Sequence, residues 1–405
     1  MSETVDTPTV SFVDDPERVR AALQLLEGDV VGVDVERADA DNYHRRAALV
    51  QVGVPGHCIL LDGVTLTTMG ELDAFLGPDR LAILHAIEND LAPLANKGVV
   101  ADAVADTAIA AALLGLPTGL GPLLEQLLGV ALPGDKSAFQ RADWGARPLS
   151  EGMASYAAGD VVHLPALWTE LAARLDDLGR REWYDQELTH TVERALVDQR
   201  SWTKVKGIGR MSGQERAAVR AVWETREELA RTHDIAPNRL LHDDVIREIV
   251  TDPPRTAPQL IRRSRRRRAP LREHAPALLE ALERGLDAEP EAKDRTRRWT
   301  DVDRATHDAM RLRRSEVAEE LGLDPGVLCP SKVLWNAVAG DPDDAAGLCA
   351  LAELRPWQAD VLGEPLWDAY LEARTAGPEA GVEHDPDDPG DDTTGPADDP
   401  VDTPR

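Results

Sequence analysis

Residues 30–37 read VVGVDVER. Val30, Val31, Val33 and Val35 make a short β-branched run, the pattern of a central and mostly buried strand. Side chains alternate faces along a strand, so Asp34 and Glu36 point the same way. Two carboxylates side by side on a buried face repel each other and lose hydration unless something positive stands between them. A bound divalent cation meets that need. The alternative is a solvated pair at the end of the strand.

Working outward, AALVQVGV (47–54) and HCILLDG (57–63) follow closely enough to pair as hairpins. Upstream, DPERVRAALQLLEG is a helix with Asp15 as its cap. LAILHA (81–86) reads as another buried strand, with a helix after it through Asn96. Asp90 falls in that helix's first turn, where an acid complements the helix dipole. His85, at the strand end, reads as a hydrogen-bonded structural residue. From about residue 103 the pattern turns wholly helical: AVADTAIAAALLG, GPLLEQLLG, then a stretch from Ser150 to about Leu175. Strands first and helices after predict an α/β domain with a mixed sheet.

The stretch from Ser150 contains YAAGD (156–160). Met153, Ala157, Val161, Leu164, Trp168 and Leu171 fall on one apolar stripe of a helix. Tyr156 and Asp160 lie one turn apart on the same half-buried flank, and Pro165 is expected to kink the helix beyond them. Taken alone, the pair reads as a surface contact.

Past about residue 195 no strand pattern remains. Two helical sets share an order: a long helix rich in Arg and Glu, a Pro-marked turn, a short helix opening near LHDD or CPSK, and a closing helix. That order suggests a weak internal repeat. The chain has 405 residues, a net charge of -28 and three cysteines, Cys58, Cys329 and Cys349, which fit neither a disulfide framework nor a zinc pattern. No apolar run approaches the ~20 residues of a membrane helix, and MSETVDTPTV lacks the features of a secretory signal. A reducing cytoplasm is expected. The charge is uneven: about -17 over residues 1–200, about +7 over 201–275, and about -9 in each of 276–376 and 377–405. Lys204, Lys206, Arg210, Arg262, Arg263, Arg265 and Arg266 in the basic block are candidate phosphate contacts, or else a solvated face. GIGRMSG in that block is not a dinucleotide fingerprint, since its third glycine is misplaced and no strand precedes it.

The four acids in chain order, Asp34, Glu36, Asp90 and Asp160, with Tyr156 four residues before the last, resemble the DEDD exonuclease superfamily in its tyrosine-bearing branch. DTAIAAALLG (106–115), DKSAFQRADWGARPLS (135–150), YAAGDVVHLPAL (156–167) and the AALVQVG strand are similar to the ribonuclease D family. The sequence departs from the family at Val35, usually Thr, and at Arg37, usually aromatic or apolar. The branch with His in place of Tyr would need it at position 155, which is Ser155 here. WTKVKGIGRMSGQERAAVRAVWETREELARTHDIAPNRLLHDDVIREI resembles an HRDC domain, and about 300–375 a second, more divergent one.

The resemblance implies an α/β, RNase H-like 3′-5′ exonuclease domain with a mixed sheet (1–195), followed by two all-α HRDC-type helical domains (200–285 and 299–376). Between them lies a linker (286–298), and an acidic tail (377–405) of disordered composition follows. By the same resemblance Asp34, Glu36, Asp90 and Asp160 are catalytic ligands of two divalent ions, Mg²⁺ or Mn²⁺, and Tyr156 orients the attacking water. Lys136, Trp144 and Arg147 are candidate RNA contacts, with a buried tryptophan and a surface cation as their plainer roles. The expected activity is metal-dependent 3′→5′ exoribonuclease action on structured RNA such as tRNA precursors. The enzyme is expected to be a cytoplasmic monomer with no small-molecule cofactor and no membrane. The rivals are a 3′→5′ DNA exonuclease and a non-catalytic HRDC nucleic-acid-binding protein.

Overall fold

The structure is a computed structural model describing residues 8–132, 139, 142–197, 200–264, 268–292 and 299–376. Lys136, Arg265, Arg266, residues 293–298 of the expected linker and the acidic tail lie outside the described residues. Six strands form one sheet: β1 (Thr9–Val13), β2 (Val30–Arg37), β3 (Ala47–Val54), β4 (His57–Asp62), β5 (Leu81–Leu84) and β6 (Ala103–Asp106), in the order β1-β4-β3-β2-β5-β6. β2, β3 and β4 form the expected antiparallel hairpins, and β1–β4, β2–β5 and β5–β6 pair in parallel. The mixed sheet is thus as expected, with β2 inside it.

Two strands differ from the sequence reading. β1 was not anticipated, and β6 stands where a wholly helical pattern was expected to begin. Both are edge strands of five and four residues. That is too short for alternation to declare itself, and their conformation comes from pairing with β4 and β5.

The odd positions of β2, Val31, Val33 and Val35, face a core shared with α1 (Pro16–Leu23), α2 (Gly70–Phe75) and α3 (Leu91–Asn96). Asp15 caps α1 as expected, accepting from the Glu17 amide at 3.0 Å. Next come α4 (Thr107–Leu113), α5 (Leu120–Leu128), α6 (Glu151–Val162), α7 (Leu164–Asp177) and α8 (Arg181–Ala195). The expected kinked helix is two helices, broken at His163 just ahead of Pro165.

α6 lies directly on the even face of β2 and β3. A Cβ on Gly32 would fall 2.1 Å from the Val161 carbonyl oxygen, and one on Gly53 would fall 2.6 Å from Val161 Cγ2. Glycine at these two positions is therefore what admits the helix. Phe139, Trp144 and Leu149 pack in the same cluster, so residues 156–162 are buried on every side. Tyr156 and Asp160 sit deeper than the half-buried flank expected of an amphipathic helix.

The first helical set comprises α9 (Gly213–His233), α10 (Pro237–Leu240), α11 (Asp243–Thr251), α12 (Ala257–Arg263) and α13 (Arg268–Asp287), around its own core. The second comprises α14 (Asp301–Leu321), α15 (Pro325–Leu328), α16 (Ser331–Gly340), α17 (Ala345–Leu351) and α18 (Pro356–Ala376). α18 starts earlier than expected and holds Pro365 in its interior. The second set shares one continuous core with α4, α5, α7 and α8, where Trp183 stacks on Trp357 at 4.6 Å.

The repeat is visible residue by residue. Ser212 and Thr300 open the long helices with capping boxes completed by Glu215 and Asp303. Asp234 and Gly322 close them in left-handed conformation. Within them, Arg226 and Arg314 are buried, and each donates to a carbonyl at 2.8 Å, that of Leu241 and of Cys329. One interval separates every pair.

Candidate active site

Asp34 and Glu36 point from β2 toward α6, which presents Asp160. One carboxylate oxygen from each of the three lies within 4.8 Å of the others. At an effective dielectric of about 20, two charges at that spacing repel by roughly 3 kcal/mol. The groups acting on them are burial and other acids. Burial pushes Asp34 up to about 6, and burial with the Asp34 and Asp160 charges pushes Glu36 up to about 9. Both acids of the pair are half-buried toward the end of β2, with the third carboxylate beside them.

Asp90 lies beyond a tight turn after β5 and is buried, but outside the three-carboxylate group. It closes a short 3₁₀ segment (Ile87–Asn89) and begins α3, with no capping bond from its side chain. Burial raises it well above the ordinary carboxylate range, and Asp34, Asp106 and Glu36 add repulsion. It therefore faces the same acidic space.

Its turn is strained: Ala86 has φ +62°, a region that costs a non-glycine residue of order 1 kcal/mol. Asp106 holds that turn, accepting from the Ile87 amide at 2.6 Å while capping α4 through Ala108 and Ile109. Asp106 lay inside a quoted motif, but nothing local marked its reach back to residue 87. His85 does take the structural role expected, bonded to Thr107 Oγ1 at 2.9 Å.

Tyr156 is hydrogen-bonded to Asp160, and burial together with that carboxylate raises its phenol above the ordinary value. The Phe139 and Trp144 rings flank it at 5.4 and 6.1 Å. Gln51 stands opposite Asp34 in the β2–β3 register, fully buried, and neither side-chain polar atom has a partner among the described residues. Its position in a strand of apolar residues gave no local sign of this.

The donor set fits hard divalent cations. It consists of carboxylate oxygens, half-buried at Asp34 and Glu36 and buried at Asp90 and Asp160, mutually repelling and acted on by other acids.

A 3′-5′ exonuclease family model matches residues 10–176, and an HRDC domain model matches 215–282. Curated ribonuclease D proteins align along most of the chain. That of Bartonella henselae is 24% identical over 85% of this chain and 86% of its own length, and that of Jannaschia sp. is 28% identical over 85% and 89%. The chain thus carries a 3′-5′ exonuclease domain and an HRDC domain and is similar to ribonuclease D along most of its length. It is a 3′→5′ exoribonuclease acting on nucleic acid, and the fold family implies divalent metal ions. The ribonuclease D of Pseudomonas paraeruginosa is 30% identical over 59% of this chain, and the match spans 65% of that relative. The Escherichia coli RNase D structure shares the fold: TM-score 0.73 at 21% identity, over 90% of this chain and 99% of that one.

Of the expected phosphate contacts, Lys204, Lys206, Arg210 and Arg262 are exposed. Arg263 is tied to Asp252 at 2.5 Å and to Glu248 at 3.4 Å. Trp144 is buried, and Arg147 binds Asp62 and the Ala48 carbonyl, so both take structural places. Arg37, one of the departures, pairs with the buried Asp39 at 2.7 Å. No helix among the described residues is long and apolar enough to cross a membrane.

Proposed function

We propose that this exoribonuclease trims the 3′ ends of structured RNA, tRNA precursors among them, with two divalent ions, Mg²⁺ or Mn²⁺, held by Asp34, Glu36, Asp90 and Asp160. The observation that carries the metal assignment is the convergence of three carboxylates, two half-buried and one buried, with Asp90 acting on the same space. When bound, such ions neutralise charge on the reacting phosphate and lower the pKa of water.

The chain's own residues do the rest. β2 holds Asp34 and Glu36 in fixed register, and the glycine-floored contact with α6 keeps Asp160 opposite them. Burial and the Asp160 carboxylate raise the Tyr156 phenol in the metal-free protein. Its role is to orient the attacking water, with its position fixed by Asp160 and the two flanking rings. Burial by α6 and the Phe139–Trp144 cluster keeps bulk water from this wall of the site. The exposed cations of the first helical set give affinity without sequence readout. The tRNA substrate and a cytoplasmic monomer rest on the family resemblance, supported by three free cysteines.

The test is degradation of a tRNA precursor with a 3′ extension beside an unstructured RNA and a matched DNA oligomer, with Mg²⁺ or Mn²⁺. Trimming that halts near the mature 3′ end is the expected result. Faster loss of the DNA would overturn the reading.

A further inference from the structure

Beyond Glu36, at the end of the sheet where β2 stops and β3 begins, the surface opens into a cavity of about 550 Å³. Its lining includes Arg45, Arg46, Lys97, His44, Asn96 and Thr67, and no acid is among the lining residues. In a chain of net charge -28, three cationic side chains line one concavity, and the acid paired with Arg46, Asp234, stands outside the lining. A concentration of positive charge of this kind attracts an anionic ligand.

The cations are placed by the fold. Lys97, at the end of α3, donates to the carbonyls of Gly63 at 2.6 Å and Leu66 at 2.8 Å. Two of its three N–H bonds are thus fixed, and among the described residues the third meets no acceptor. Burial, and then the Arg46 charge, lower its pKa. Arg46 pairs with Asp234, the left-handed residue that ends α9 in the first helical set. The same carboxylate accepts from the amides of Tyr43 and His44 at 3.0 Å each and from Asn42 Nδ2 at 3.0 Å. Through Arg46, the rim of the cavity is tied to the first helical set at the end of the sheet where β2, the strand of Asp34 and Glu36, stops.

We propose that this basic cavity binds a phosphate of the RNA strand upstream of the bond being cut, as the strand passes from the helical set to the carboxylates. The inference rests on the exoribonuclease reading above. The chemistry is recognition of a phosphodiester by two guanidinium groups and an ammonium, with no base contact required. A released nucleoside monophosphate carries the same group and is the competing source.

Arg45→Gln removes a cation. Thr67→Glu adds an acid on the exposed rim while leaving the Lys97 clamp untouched, so it guards against loss of folding. Binding of a labelled oligoribonucleotide is measured with EDTA present across a salt series. Hydrolysis of a dinucleotide is measured separately with Mn²⁺. For Arg45→Gln the slope of log affinity against log salt is expected to fall by about 0.7. For Thr67→Glu, affinity for the long RNA is expected to fall about fivefold, with dinucleotide hydrolysis unchanged in both. Unchanged long-RNA binding and salt slope in both variants would overturn the proposal. So would weaker inhibition by a nucleoside monophosphate without any effect on RNA binding, which would make this a product site. Failure of the wild type to degrade RNA at all would sink the functional reading instead.

Discussion

At the scale of single residues, the site works against the stability of the protein that carries it. Asp34, Glu36 and Asp160 are held together by the fold although they repel. Asp160→Asn should therefore raise the melting temperature of metal-free protein while lowering kcat by roughly a thousandfold, because a metal ligand is lost. A loss of both stability and activity would instead mark Asp160 as structural. The pH dependence has a definite sign. Glu36 rises from 4.5 to about 9 and Asp34 to about 6 on folding. The folded protein then binds more protons than the unfolded chain between those values, so metal-free stability falls as pH rises through that window. Divalent cations remove the penalty, and the gain in melting temperature on adding Mg²⁺ should be larger at pH 8 than at pH 5.5. An equal gain at both would contradict these positions. For Tyr156→Phe, the water-orienting role predicts a kcat roughly a hundredfold lower with little change in KM.

At the scale of elements, the decisive contact is α6 on β2 and β3. Gly32→Ala would place a methyl 2.1 Å from the Val161 carbonyl oxygen, against backbone that cannot swing aside. It should cost about 2–3 kcal/mol of stability and displace Asp160, abolishing activity; a variant of wild-type stability and activity would refute the contact's importance. The strand carrying the acids was legible because four valines and two carboxylates alternate within it. Tyr156 and Asp160 were legible as neighbours from helical spacing, but their depth was not, because it depends on Phe139, Ala142, Trp144 and Leu149 packing against the helix. β1 and β6 escaped notice because edge strands this short are made by their partners. Asp106 and Gln51 escaped for a related reason: one reaches back to residue 87, and the other matters only through its cross-strand neighbour.

At the scale of the molecule, the two helical sets are docked by the same corner of the repeat. In the first, Asp234 at the end of α9 grips residues 42–46. In the second, Arg180 bridges the carbonyls of Leu113 and Leu321 at 2.6 Å each, beside the close approach of Gly115 to Gly322. A repeat was visible in the order of sequence patterns, whereas its use as a paired docking device required contacts between distant segments. Asp234→Ala should cost about 2 kcal/mol and expose the 38–46 loop to proteolysis while the core of the first set stays folded. An unchanged cleavage pattern would show that the seam is held elsewhere.

The central claim is that the carboxylates at 34, 36, 90 and 160 carry a metal-dependent exoribonuclease activity. The most direct test is a time course with a 5′-labelled oligoribonucleotide and Mn²⁺, comparing wild type with Asp34→Asn. The account predicts a ladder shortening from the 3′ end for wild type, and none for the variant or with EDTA present. An Asp34→Asn protein that degrades the RNA at the wild-type rate would contradict it.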